Sequence, residues 1–324
     1  MSVGRMGLVQ AGSPDKQCPT LDELTADATA TASQIAEGAT AYVQGEKITG
    51  TMPTTIDVAA AGIRLGYSTF ETVPDVFDFS NVEDAKSLFI NSDIKEAPNS
   101  LNINALKSLN STFSGCHNLE GNFILNSPIL KTLYLSFNEC KKITSVKIDL
   151  PEVESAYFAF NACTSIVYVD VINLPKCTNL QQAFCNSQAL TDFPEINAPL
   201  VKDCSYTFYL CNNLRTIQIW DFSNVTNARY MFKSCSSLTT IGNIIFLNTS
   251  LSLADSPNLD ENTLSLFGII ATGTGQTGVA DLKTIGLPSE TITFNTTSQE
   301  FLESEGIIAK LTDSNWVVNF ADSM

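Results

Sequence analysis

Apolar and polar positions through the middle of the chain repeat in blocks of about 24 residues. Phenylalanine stands at Phe89, Phe113, Phe137, Phe160, Phe184, Phe208 and Phe232, at intervals of 24, 24, 23, 24, 24 and 24. Three residues later come Cys116, Cys140, Cys163, Cys211 and Cys235, with Ser92 and Ser187 in the two remaining copies. Six residues after Phe stand Leu119, Ile143, Ile166, Leu190, Leu214 and Leu238. Upstream, position −7 holds Val82, Leu106, Leu130, Val153, Cys177, Val201 and Val225; position −4 holds Ala85, Leu109, Leu133, Ala156, Leu180, Cys204 and Ala228. A block this short cannot bury its own apolar side, so neighbouring blocks must stack and share one core.

The spacing of three and four residues through the −7, −4, Phe and Cys columns predicts a helical or 3₁₀-like turn. After Cys the pattern alternates, as in Thr216-Ile217-Gln218-Ile219 and Tyr168-Val169-Asp170-Val171, which predicts a strand. Pro151, Pro175 and Pro199 recur nine residues before Phe and mark the turn between strand and helical segment. Seven such copies would build one ribbon of parallel strands about 4.8 Å apart and roughly 30 Å long. The expected fold is a leucine-rich-repeat-like α/β solenoid over residues 63–251, with a Phe spine and Cys where only a small apolar group fits.

The ends break the period. Thr20–Glu23 reads as a capping box before an Ala/Thr-rich helix over Asp27–Glu37, and residues 41–49 as a hairpin turning at Gln44-Gly45. Residues 1–62 are therefore expected to form a small N-terminal adapter and linker. Asn258–Thr272 and Ser298–Leu311 read as helices, Thr291–Phe294 and Trp316–Phe320 as strands. Residues 252–324 are expected to cap the repeats, because a stacked array needs an atypical end.

Two stretches resemble known proteins. Trp220-Asp221-Phe222-Ser223-Asn224-Val225-Thr226, followed by Met231-Phe232, Cys235 and Leu238, resembles the BspA-type leucine-rich repeat, and Phe77-Asp78-Phe79-Ser80-Asn81-Val82 opens the first copy in the same way. Middle copies replace Ser-Asn by Pro and a second residue. Ala30-Thr31-Ala32-Ser33-Gln34-Ile35, with Gly38, Thr40-Ala41-Tyr42-Val43, Gly45, Lys47 and Gly50-Thr51-Met52, resembles a segment common in bacteriophage tail proteins. The first resemblance implies a surface or secreted binding protein of bacteria or their phages. The second implies docking on a virion, with other tail subunits as partners and assembly in the host cytoplasm. Tail appendages are symmetric, which implies a homo-oligomer.

Charge narrows the partners. Thirty-four acidic against 18 basic residues give a net charge of −16. Such a surface repels phosphate backbones and anionic lipids, so neither nucleic acid nor membrane is expected. The chain starts without an apolar h-region, and no run approaches the ~18 apolar residues of a membrane span. Nine cysteines without a CxxC read as buried thiols of a chain made in a reducing cytoplasm.

Catalytic chemistry finds little support. His117 is the single histidine, at an outward loop position whose counterparts are Lys141, Thr164, Asn212 and Ser236. The stacked thiols of Cys116, Cys140 and Cys163 read as a hydrophobic column rather than a metal site. Gly273–Gly278 lacks the Lys-Ser/Thr of a phosphate loop. No catalytic residue, cofactor or metal is expected. Tyr134, Tyr157, Phe158, Tyr206 and Tyr230, two or three residues before the core Phe, are the candidate ligand-facing residues. They would either stack on sugar rings or a protein partner, or cover the edge of the core. The expected function is that of a non-enzymatic phage tail or fibre protein whose solenoid recognises a bacterial surface glycan or protein. A structural or decoration protein of the virion and a bacterial surface adhesin are the alternatives.

Overall fold

The spacing of three and four residues before and through Phe produces tandem turns, not helices. In a computed structural model, residues 40–43, 46–49, 56–61, 65–69, 71–73, 77–245, 247–271 and 278–322 are described. Around Phe89, the Leu88 N–H donates to the Ala85 carbonyl at 2.9 Å and the Ser92 N–H to the Phe89 carbonyl at 3.0 Å, closing two four-residue turns. The third residue of each turn, Ser87 and then Asn91, has φ of 54° and 53°, the mark of a type II turn. Every later Phe is flanked in the same way, from Ser111 and Gly115 around Phe113 to Tyr230 and Ser234 around Phe232. A left-handed residue at every fourth position excludes a continuous right-handed helix. The expected helical or 3₁₀ segments opposite the strands are thus turns that share the helix's four-residue spacing.

Alternate N–H groups of these turns bond sideways to the next copy. Phe160 donates to Ala183 at 2.8 Å, Phe158 to Gln181 at 3.1 Å and Ala162 to Cys185 at 2.7 Å, each some 23 residues on. The N–H three residues before Phe is satisfied by a short polar side chain two residues earlier. The acceptors are Asp84, Ser108, Thr132, Ser155, Asn179, Asp203 and Asn227, one in each copy. This Asx- or ST-type turn requires Asp, Asn, Ser or Thr at that position.

On the other side of each copy lie the strands. The chain divides into two compact units, residues 1–57 with 75–78, and residues 58–74 with 79–324. In the first, β1 (Thr40–Val43) and β2 (Glu46–Thr49) pair antiparallel with Val43 opposite Glu46, as the hairpin pattern predicts, and β3 (Ile56–Asp57) pairs parallel with β4 (Phe77–Asp78). The second opens with α1 (Val58–Ala61). Its main sheet holds β5 (Glu120–Asn126), β6 (Lys142–Asp149), β7 (Tyr168–Asn173), β8 (Asp192–Phe193), β9 (Ile196–Asn197), β10 (Thr216–Asp221) and β11 (Thr240–Ile245), all parallel. Partners lie 24 residues apart in β10 and β11, as in Ile217 opposite Ile241. The first copy contributes no strand, since its segment after Ser92 runs into Pro98, which has no N–H to donate. Pro194 likewise splits β8 from β9. Where the first and last copies have Ser-Asn and the middle ones Pro, the turn is the same. Val225 bonds back to Phe222 at 3.0 Å, and Val153 to Leu150 across Pro151 at 3.2 Å.

Between turns and strands runs the core. The seven Phe rings stack face to face, with centroids 5.2–6.3 Å apart and planes within 19° of parallel. Phe123, Phe193 and Trp220 pack against them from the sheet. The cysteines have a polar task as well as a small volume. Cys116, Cys140, Cys163, Cys211 and Cys235 each donate S–H to the carbonyl of the preceding Phe at 2.9–3.1 Å, and Ser187 does the same with its hydroxyl at 3.4 Å. That shared bond is why Ser can replace Cys in this column.

Beyond the last Phe come β12 (Leu251–Leu253), α2 (Glu261–Leu266), β13 (Ile270–Ala271), β14 (Val279–Ala280), β15 (Glu290–Phe294), α3 (Gln299–Ser304), α4 (Ile307–Asp313) and β16 (Trp316–Phe320). Both strand expectations for this region hold. The helix expected over 258–272 is only α2, because the chain turns at Gly268 into β13. The helix expected over 298–311 breaks into α3 and α4 at Gly306, which has φ of 66°. The expected N-terminal helix over 27–37 and the glycine-rich residues 273–277 lie outside the described residues.

Two predictions follow from this bonding. Cys140→Ser, which keeps a donor to Phe113, is expected to cost under about 1 kcal/mol. Cys140→Val, larger and without a donor, is expected to cost about 2–4 kcal/mol by urea unfolding. The second concerns Glu152, whose carboxylate is bonded by Lys131 and Lys176 at 2.6 and 2.5 Å and held down at about 2 by them. A depressed carboxylate stabilises above its unfolded pKa near 4.5 and loses that contribution as pH falls toward about 2. The urea midpoint of the native chain should therefore exceed that of Glu152→Gln at pH 6, and the two should converge at pH 2.

Candidate recognition surface

The five aromatic candidates fall into two groups on the turn side, in two adjacent columns. Tyr134 and Tyr157 stack on each other at 5.5 Å, and Phe158 meets Tyr157 edge-on at 4.5 Å. Two copies farther on, Tyr206 packs against Tyr230 at 5.2 Å. Tyr134 is 38% exposed, whereas Tyr157, Phe158, Tyr206 and Tyr230 are half-buried. Rings stacked on one another spend their faces within the protein, so a ligand would meet mostly edges. Phe158, Tyr206 and Tyr230 occupy the left-handed turn position, at φ of 56°, 56° and 54°. That conformation is not a sign of a site here, because Ser87, Ser111, Leu135 and Gln182 adopt it in the other copies.

Arg229 and Lys233 cluster on Tyr230. The Arg229 guanidinium lies 4.7 Å from the ring centroid and donates to the phenol oxygen at 3.3 Å, while the Lys233 ammonium lies 5.0 Å from the ring. The hydrogen bond from Arg229, and after it the Arg229 charge, lowers the phenol pKa below its ordinary value.

The outward face of the main sheet carries a second surface that residue-by-residue reading of the sequence passed over. Asn122, Ser145, Tyr168, Asp192, Thr216 and Thr240 stand opposite one another in register across β5, β6, β7, β8, β10 and β11. Tyr168, in the middle of this row, is 57% exposed and donates to Asp170 at 3.4 Å. Lys147 pairs with the same carboxylate at 3.3 Å. Asn122 accepts from Ser145 at 2.8 Å and from Thr144 at 3.0 Å. Ile124 and Val171 lie exposed beside the row. The alternation expected along β7 does not hold, since the buried residues Val169 and Ile172 stand three apart and leave both Tyr168 and Val171 exposed.

The other chemically suggestive residues have structural partners. His117 shares a hydrogen bond with the Glu139 carbonyl at 3.0 Å. Burial pushes the thiols up, those of Cys177 and Cys185 to about 11 and that of Cys163, in the column, farther, so they stay protonated and weak as nucleophiles or ligands. Among the described residues no group of three or more His, Cys, Asp or Glu side chains is placed to hold a metal ion. Nor is any described helix long and apolar enough to cross a membrane.

Residues 154–250, the copies of Phe160, Phe184, Phe208 and Phe232, match the family described as "Mycoplasma protein of unknown function, DUF285". No curated protein matches the chain.

Proposed function

We propose that the chain is a non-enzymatic recognition protein, in which the repeats stack as a solenoid and hold the outer sheet face toward a bacterial surface glycan or protein. The observation that carries this reading is the row from Asn122 to Thr240 with Tyr168 at its centre. Its side chains are set one strand apart on a hydrogen-bonded backbone, and its one ring, that of Tyr168, is 57% exposed. An exposed aromatic beside Asp170 and Lys147 is the lining that sugar rings and polar peptides take. The likeness of residues 30–53 to a phage tail segment supports a place on a virion tail, with the repeats outward and the amino-terminal unit toward other tail subunits. A second reading, a bacterial surface adhesin, is favoured by the match to a family named for Mycoplasma.

Two measurements test this. Antibody labelling of intact particles should mark the tail; labelling of a bacterial cell envelope instead would support the adhesin. Purified protein should adsorb to host cells and compete with particles for them. Tyr168→Ala should weaken adsorption about two- to tenfold with an unchanged circular dichroism spectrum, the worth of one aromatic contact. Protein that binds no host cell would overturn the recognition role.

A further inference from the structure

The N–H groups two residues before Phe, at Phe and two residues after it point one way along the repeats, and the last Phe copy has no full copy to receive them. In the six copies before it, the N–H two residues before Phe donates to a carbonyl of the next copy at 2.9–3.1 Å, from Ser87 with Asn110 through Tyr206 with Arg229. The equivalent donor in the seventh copy is Tyr230. It finds no acceptor among the described residues, and neither do the N–H groups of Ala228 and Phe232 on the same edge.

The chain does begin an eighth copy. Asp255 accepts from the Ser234 N–H at 3.2 Å, the Ser256 hydroxyl donates to the Cys235 carbonyl at 3.5 Å, and Asp260 donates to Thr239 at 2.8 Å. Its earlier part diverges, however. Leu251 and Leu253 pair with Ile292 and Phe294 of β15, and Glu290 holds Ser250 through both its N–H and its hydroxyl. The two copies are splayed into a cleft of about 340 Å³, with Thr226–Tyr230 on one wall and Thr249–Ser252, Glu290, Thr291 and Thr293 on the other.

We propose that this cleft binds a short extended peptide lying parallel to residues 226–230, whose main-chain carbonyls accept from Ala228 and Tyr230. The six preceding copies specify the occupant. Five of them, all but the copy of Phe113, satisfy both equivalent donors with carbonyls two residues apart on a parallel chain, and strand addition to an open edge is a general mode of peptide capture. The volume, at the lower end of the ~300–1,000 Å³ typical of ligand sites, admits only a few residues. The hydroxyl-lined walls favour small polar side chains. This site is separate from the sheet row around Tyr168, so it can fail without affecting adsorption to cells.

The test uses the full-length protein carrying ¹³C-carbonyl arginine and ¹⁵N-tyrosine. Because the Arg-Tyr pair occurs once in the chain, only the Tyr230 amide is read out. The probe is the blocked peptide acetyl-Asp-Ser-Ser-Tyr-Thr-amide, patterned on the stretch at 203–207 that receives Leu180 and Gln182. Saturable shifts of the Tyr230 amide are expected. An analogue with an ester in place of the acceptor amide should bind about three- to tenfold more weakly, the worth of one neutral hydrogen bond. The ester leaves the protein unaltered, so folding does not confound the comparison. No saturable shift with the peptide, equal binding of the ester, or a response to sodium glucuronate alone would each overturn the proposal.

Discussion

Sideways hydrogen bonds between copies are the constraint on which the rest of this structure depends. In each of the six turn segments from Phe89 to Phe208, half the N–H groups, at −2, 0 and +2 around Phe, leave the copy and bond to the next. A segment that bonds its neighbour at every second residue must be extended overall. It must also fold back twice to return the chain to the sheet, which places a left-handed residue two positions either side of Phe. Most of those residues are not glycine and cost about 1–2 kcal/mol each. A lateral bond of about 0.5–1.5 kcal/mol offsets such a residue but does not outweigh it. The surplus has to come from the burial of stacked Phe rings, which those same bonds bring to a common spacing. Backbone ladder and aromatic spine therefore stand or fall together.

The columns legible in the sequence are those where one chemical type is demanded in nearly every copy. Phe and the aliphatic positions declared the period because the core tolerates little variation in volume. The Cys column reads as small and apolar, and its residues are both small and buried. Ser187 reveals a further demand, a donor for the preceding Phe carbonyl, which a single Ser among cysteines hinted at. The polar column five residues before Phe is not legible as a column. It is filled by Asp, Asn, Ser and Thr in turn, a variation that looks like ordinary surface until the backbone N–H it caps is seen.

The helical expectation failed for a reason specific to tandem turns. A type II turn repeated every four residues places side chains at nearly the spacing of an α-helix, so periodicity alone cannot separate them. Residue type offers a partial signal, since Ser, Asn and Gly recur at the left-handed positions of the first copies. Leu135, Phe158 and Tyr206 at the same positions hide it. The split of the carboxyl-terminal helix at Gly306 was legible in principle, because glycine is the residue expected where φ is positive.

The candidate surface was less legible than the fold, because exposure depends on what neighbouring copies do with each ring. Tyr134 and Tyr157 are aromatic at the same place in adjacent copies, and that regularity makes them stack on each other. Tyr168 has Ser145 and Asp192 as its neighbours in register, so nothing aromatic lies beside it to cover its faces. In a repeat, an aromatic that recurs is available for internal stacking, while one that breaks its column is left for a partner. Departure from the repeat, rather than the repeat itself, is therefore what leaves an aromatic face such as that of Tyr168 open in this chain.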